Sequence, residues 1–221
     1  MSKMSMGYLG SQIGRLGTAV GSRWKGRDVM RAYQRYVSNP KTTAQQTNRA
    51  KFAILGSMAS AVRYAALVGM GQTAKELRLT ECNVFLKENY GNVIALSPSD
   101  ITVNYSAITL TKGKLPEASF GAVDFGTGSH LHIEAVIADG GSDQPGAKAT
   151  DDIYLFAYCP DKGQGVLSSA TPRTSDKVSV NVPASWDGMD VHVWGFAVGA
   201  KDGDNPCRAS GTAYCGTGEV A

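Results

Sequence analysis

From residue 93 onward the chain breaks into short β-branched or aromatic runs separated by Gly, Asp, Pro and Ser, and this texture limits the fold more than any other feature. The runs predict strands near 93–97, 101–104, 107–111, 130–138, 152–159, 164–169, 177–182, 189–198 and 207–214. Runs this short, each closed by turn residues, predict a β-sandwich. The clearest alternation sets Val191, Val193, Gly195 and Ala197 against His192, Trp194, Phe196 and Val198. Both sets are largely apolar, the pattern of a central strand covered on its two faces.

The texture before residue 93 is different. Asn39-Pro40 is a turn signal. Thr43 then stands at an N-cap position with Gln46 three residues later, a capping box. Residues 44–68 read as one helix, with Phe52, Leu55, Ala59, Val62 and Ala66 at 3-4 spacing and a length of about 37 Å. Its small residues, Ala50, Ala53, Gly56, Ala59 and Ala61, predict a close neighbour, and Gly69 and Gly71 are expected to end it. A second helix is expected over 73–89, with Leu77, Leu79, Val84 and Phe85 buried.

Ahead of the helices, Gly7, Gly10, Gly14, Gly17 and Gly21 recur at spacings of 3, 4, 3 and 4. On a helix they would form one stripe that a neighbouring backbone could approach. Five glycines cost about 4–5 kcal/mol against alanine, so an isolated helix is not expected. The arm is then either loose until it packs on another surface, or an extended ribbon with glycine at bulges and tight contacts. Residues 28–37 fit helix or strand equally. The predicted organisation is α+β: a basic arm and two helices over 1–92, then an all-β sandwich over 93–221.

Net charge is only +3, but it is divided unevenly. Residues 1–79 hold 13 Lys and Arg against Asp28 and Glu76 alone, a net of +11; the rest nets −8. Such polarity predicts a polyanion partner or head-to-tail assembly between unlike ends. The candidate contact residues are Arg15, Arg23, Trp24, Lys25, Arg27, Arg31 and Arg35. Arginine and lysine neutralise phosphates, while Trp24, Tyr33 and Tyr36 either stack on bases or pack in a core. Arg27, Arg31 and Arg35 would share one side of a helix. They would serve equally to pair with the acidic part of another copy.

No HExxH, GxSxG, Walker loop or CxxC occurs, and the Gly-rich arm lacks the preceding strand of a dinucleotide fingerprint. No catalytic set, cofactor or metal is expected. His130 and His132 share a strand face and with His192 would make three zinc ligands, but half-buried polar residues are the simpler reading. Asp139, Asp143, Asp151 and Asp152, or Asp202 and Asp204, are read as loop aspartates rather than calcium ligands, since neither set has calcium-loop spacing. Cys82, Cys159, Cys207 and Cys215 are expected as thiols, with a Cys207–Cys215 pairing left open. The N-terminal MSKMSMGYLGSQIG has no secretory pattern and no run of about 18 apolar residues occurs, so a location inside the cell, without a membrane span, is expected unless the chain is carried in an assembled particle.

Two stretches resemble a known family. The first is Gly14-x-x-Gly17-x-x-Val20-Gly21-x-x-Trp24-Lys25-Gly26-x-x-Val29-x-Arg31, then Asn39-Pro40-x-Thr42-x-x-Gln45 and Arg49-x-Lys51-Phe52. The second runs from Arg173 through Val178, Val180, Val182-Pro183, Trp186, Gly188, Val191 and Val193 to Phe196. Both are similar to a domain-of-unknown-function family widespread in Bacteroidota and found in phage-like regions. The resemblance implies a basic N-terminal unit followed by an immunoglobulin-like β domain, and no assigned activity. Its setting implies a virion or surface-assembly component, by association.

The function expected is that of a non-enzymatic assembly protein, partnered by other copies or other assembly proteins. The alternatives are a nucleic-acid-binding protein with an accessory sandwich, and a surface or carbohydrate-binding module using Trp186 or Trp194.

Overall fold

The computed structural model describes residues 2–4, 12–96, 101–126, 132–138, 146–199 and 208–220. The chain divides into two compact units, Met1–Gln46 and Thr47–Ala221. The division expected at residue 92 lies inside the second unit. Gly7, Gly10, His130, Asp139, Asp143, Asp202, Asp204 and Cys207 lie outside the described residues.

The first unit is an antiparallel sheet of β1 (Ser2–Met4), β2 (Gly14–Leu16), β3 (Ala19–Trp24) and β4 (Arg27–Ala32), in the order β1-β4-β3-β2. The ribbon reading of the glycine-rich arm is therefore the one adopted, and residues 28–32 are strand. Thr42, not Thr43, caps the helix that follows: the Gln45 amide donates to Thr42 Oγ1 at 3.4 Å.

Three helices follow: α1 (Thr43–Ala61), α2 (Arg63–Leu77) and α3 (Glu81–Asn89). The single helix expected over 44–68 is bent by 96° at Val62. The Val62 amide still donates to Met58 and its carbonyl still accepts from Ala66, so the bend costs no hydrogen bond at that residue. It leaves Leu55, Met58 and Ala59 of α1 in one core with Ala65 and Met70 of α2. Gly69 and Gly71 lie within α2 instead of ending it. At Gly69 a Cβ would overlap the Thr111 side chain, so this glycine serves close packing rather than termination. Arg78, with φ +54, closes α2 in the left-handed conformation usually given to glycine. Thr80 caps α3, its hydroxyl accepting from the Asn83 amide at 3.2 Å.

The strands are β5 (Ile94–Leu96), β6 (Ile101–Val103), β7 (Phe120–Asp124), β8 (His132–Ile137), β9 (Asp152–Cys159), β10 (Gln164–Leu167), β11 (Thr171–Pro172), β12 (Lys177–Asn181), β13 (Asp190–Val198) and β14 (Ala213–Glu219). β5 and β6 pair with each other. One larger sheet runs β12-β8-β7; the other runs β10-β9-β13-β14, with β11 also on β9. This is the two-sheet strand order of an immunoglobulin-type sandwich.

Residues 107–111, expected as a strand, join no ladder, because side chains take their backbone groups. Asn89, fully buried, accepts from the Thr109 amide at 2.8 Å and donates to its carbonyl at 2.9 Å. Thr212 Oγ1 accepts from the amides of Leu110 and Thr111, both at 2.9 Å. The last strand begins at Ala213, later than the expected 207, and β7 was not foreseen.

β9 and β13 sit at the middle of three layers. Ile153, Leu155, Ala157, Val191, Val193 and Ala197 point inward to Ile133, Ala135, Val178, Val180 and Trp186 of the facing layer. Phe156, Tyr158, Trp194, Phe196 and Val198 point the other way, into a core shared with the helices. The doubly apolar run of β13 is thus explained: its two faces are covered by different partners. Gly195 lies on the inward face, where a Cβ would overlap the Phe120 ring.

Candidate subunit and polyanion interface

The first unit's sheet is built on two tight hairpins. Leu16 pairs with Ala19 and Trp24 with Arg27, leaving two residues in each loop. Lys25 and Gly26 have φ of +44° and +74°, the pair of positive values a type I′ turn needs. Gly17 turns the other hairpin at φ +57. Gly21 meets a different need: the Gln12 carbonyl lies where its Cβ would stand.

Register sorts the candidate residues by face. Directly opposed residues of an antiparallel pair share a face, and side chains alternate along each strand. Arg15, Val20 and Arg31 stand in one row and Trp24 and Arg27 in another four residues along, an even offset that keeps both rows on one face. Arg15, Trp24, Arg27 and Arg31 therefore occupy one face. Arg23 is on the opposite face, opposite Asp28, with which it makes an ion pair at 3.8 Å. Leu16, Ala19, Met30 and Ala32 share that second face. Lys25 is at the hairpin tip, and Arg35 lies beyond the strands. Four of the seven candidates are brought together, and three are not.

The arginine face is preorganised in part. The Arg15 guanidinium lies 3.9 Å from the centroid of the Tyr33 ring, and its Nε donates to the Gly17 carbonyl at 3.2 Å. Trp24 is 50% exposed. Asp28, the unit's sole acid, faces away from the three arginines. Charge alone does not place Asp28, but the turn does: once Lys25-Gly26 is read as a two-residue turn, residues 23 and 28 must oppose each other.

His132 lies on the solvent side of β8 near Glu134, at 3.6 Å, and His192 on the helix side of β13 among Tyr105, Trp194 and Tyr214, so the two do not converge. His192 shares a 2.9 Å hydrogen bond with the Tyr214 hydroxyl and stacks on Tyr105 with ring centroids 3.9 Å apart. Burial holds His192 below its ordinary pKa, against the opposing pull of Asp190. Burial raises Tyr105 and Tyr214 and lifts Tyr158 to about 12. These shifts carry each group away from neutral pH, the opposite of what acid–base chemistry needs. Burial also pushes the Cys215 thiol up to about 12, which keeps it protonated and unreactive. Cys82, Cys159 and Cys215 are free thiols. Trp186 and Trp194, proposed as glycan platforms, are both fully buried, so neither presents a ring to solvent. A groove of about 590 Å³ beside α2 is lined by Glu76, Lys112, Lys114 and Arg208, but Lys112 is tied to Glu88 at 2.7 Å. No single helix among the described residues is long and apolar enough to cross a membrane.

Fold and surface together define an α+β protein with an immunoglobulin-type sandwich, a helical layer and a basic two-faced sheet. A family of unknown function, DUF6266, matches residues 11–213, and the chain belongs to that family. No curated protein and no solved structure matches it.

Proposed function

We propose that the protein is a non-enzymatic structural subunit of a multi-copy assembly, a virion or similar particle, in which neighbouring copies cover the first unit's sheet. One observation carries this reading. Among the described residues of that unit, no hydrophobic side chain is buried, and Leu16 is 60% exposed. A sheet gains its stability by burying at least one face against another layer. The face with Leu16, Ala19, Met30 and Ala32, which also carries the Arg23–Asp28 pair, has no apolar layer on it among the described residues of the unit.

The charge division supports the same reading, since +11 over residues 1–79 and −8 over the rest make unlike ends of two copies attract. The resemblance to Bacteroidota proteins from phage-like regions agrees, by association.

Sedimentation velocity of the full chain at near-physiological salt, over a range of concentrations, tests it. Concentration-dependent assembly is expected, and Leu16→Glu with Met30→Glu should abolish it. A monodisperse monomer at high concentration, with the β2–β4 amides protected from hydrogen exchange, would refute it.

A further inference from the structure

We infer that the Arg15, Trp24, Arg27 and Arg31 face of the first unit's sheet binds the sugar–phosphate backbone of a nucleic acid. This deepens the assembly reading by giving the sheet's second face a partner of its own.

The argument starts from spacing. Arg27 and Arg31 are four residues apart on one strand, about 13 Å at the usual rise. Arg31 and Arg15 stand in one row two strands apart, about 10 Å. Cations spread this way do not converge on a single small anion. They match a ligand whose charges repeat, and 13 Å is close to the width of a major groove, about 12 Å.

The second step is sign. This face holds no acid, because Asp28 is turned to the other side with Arg23. Arginine and tryptophan are enriched at protein interfaces too, so it is the missing acid, and not the residue types, that favours a ligand carrying negative charge alone. Arginine side chains only donate, and phosphate oxygens only accept. The third step is the half-exposed Trp24, which gives the same face an aromatic surface for a base or sugar. The opposite face, with Leu16, Ala19, Met30, Ala32 and the internally neutralised Arg23–Asp28 pair, has the chemistry of a subunit contact instead. The two faces thus divide between two kinds of partner.

The test is fluorescence anisotropy of labelled mixed-sequence DNA, duplex and single-stranded, titrated with full-length protein at several salt concentrations. Three neutralised phosphates give a log–log salt slope of about −2.7, or about 40-fold weaker binding for a fourfold rise in salt. Arg15→Gln, Arg27→Gln and Arg31→Gln should each reduce that slope by about one. Arg27→Lys and Arg31→Lys should retain it, which separates lost charge from lost folding. Arg23→Gln, on the other face, should leave it unchanged. Trp24→Ala should weaken single-strand binding more than duplex binding if bases stack there; equal loss on both assigns the contact to the backbone alone, and either result agrees with the proposal. The proposal is overturned if the wild type binds neither oligonucleotide at low salt, or if Arg23→Gln lowers the slope as much as Arg27→Gln. It is equally overturned if the three face variants change only self-association, which would assign the face to another copy. Sedimentation without oligonucleotide keeps the two readings apart: a protein that assembles but ignores DNA loses only this inference.

Discussion

The sheet of β1–β4 and the sheet of β9, β10, β11, β13 and β14 are both antiparallel and of similar width, but they differ in what covers them. In the second, alternate residues of β9 and β13 enter two separate cores, one lined by the facing sheet and one by the helices. In the first, no hydrophobic side chain among the described residues is buried on either face. Backbone hydrogen bonding is present in both, so ladder bonds are not what separates them. A backbone bond contributes about 1 kcal/mol net because water competes for the same groups, whereas a buried aromatic side chain is worth several. The sandwich thus has the apolar burial that stabilises a sheet on both faces, and the described residues of the basic sheet have it on neither.

The largest expected effect contrasts one apolar residue from each sheet. Phe156 is buried at 1% exposure between β9 and the helices. Phe156→Ala should lower the unfolding free energy by about 3–5 kcal/mol through lost burial and a cavity. Leu16→Ala, in dilute protein, should change it by less than about 0.5 kcal/mol. Urea unfolding of both variants measures the pair. A large loss at Leu16 in dilute protein would mean that the first sheet has a core after all.

A second contrast uses two ion pairs of nearly equal length. Arg23–Asp28 spans 3.8 Å with its side chains 58% and 18% exposed; Arg173–Asp151 spans 3.9 Å at 0% and 2%. Distance does not distinguish them, so burial must. The Arg173 guanidinium also donates to the carbonyls of Pro116 and Glu117, at 3.4 and 3.2 Å, and Asp151 accepts from the Lys148 amide at 2.8 Å. Arg173→Met leaves a carboxylate in a dry site and should cost about 3 kcal/mol. Arg23→Met should cost under about 0.5 kcal/mol, since solvent screens the pair. Adding Asp151→Leu to Arg173→Met should recover part of the loss, because no buried charge is then left alone. Denaturant midpoints for the three variants decide the matter.

How much of this was legible beforehand follows from the same division. The runs of β9 and β13 announce themselves because their two faces answer to two cores, so nearly every residue is apolar. The helix bend at Val62 could not be read, because no proline or glycine marks it and the reason lies in what α1 and α2 both pack against. The stretch 107–111 has strand composition, but Asn89 and Thr212 claim its backbone from far away in sequence. In the basic arm, glycine spacing fits a helical stripe and a hairpin ladder alike, and only the paired turns at Gly17 and at Lys25-Gly26 decide. The candidate arginines were found by charge, which needs no structure. Their separation onto two faces depends on strand parity, which charge cannot reveal.

The smallest effect is one of pH, and it too separates the units. The first unit contains no histidine, the side chain whose ordinary pKa lies between pH 5 and 8. In the second unit His192 faces Tyr105, Tyr214 and Trp194, with Asp190 two residues away on its strand. Burial depresses its pKa in the folded state, so the unfolded chain takes up the proton first as pH falls. The stabilising contribution is complete above the unfolded value of about 6.5 and is lost progressively as pH drops from there toward the depressed folded value. Unfolding midpoints should therefore decline modestly between about pH 7.5 and about pH 5.5. His192→Phe, which keeps a ring against Tyr105, should flatten that decline while His132 remains in place. Oligonucleotide binding by the arginine face should not weaken over the same interval, since that face holds no histidine. A binding loss that tracks the pH decline in stability would mean the two sheets are coupled, and the division between them would fail.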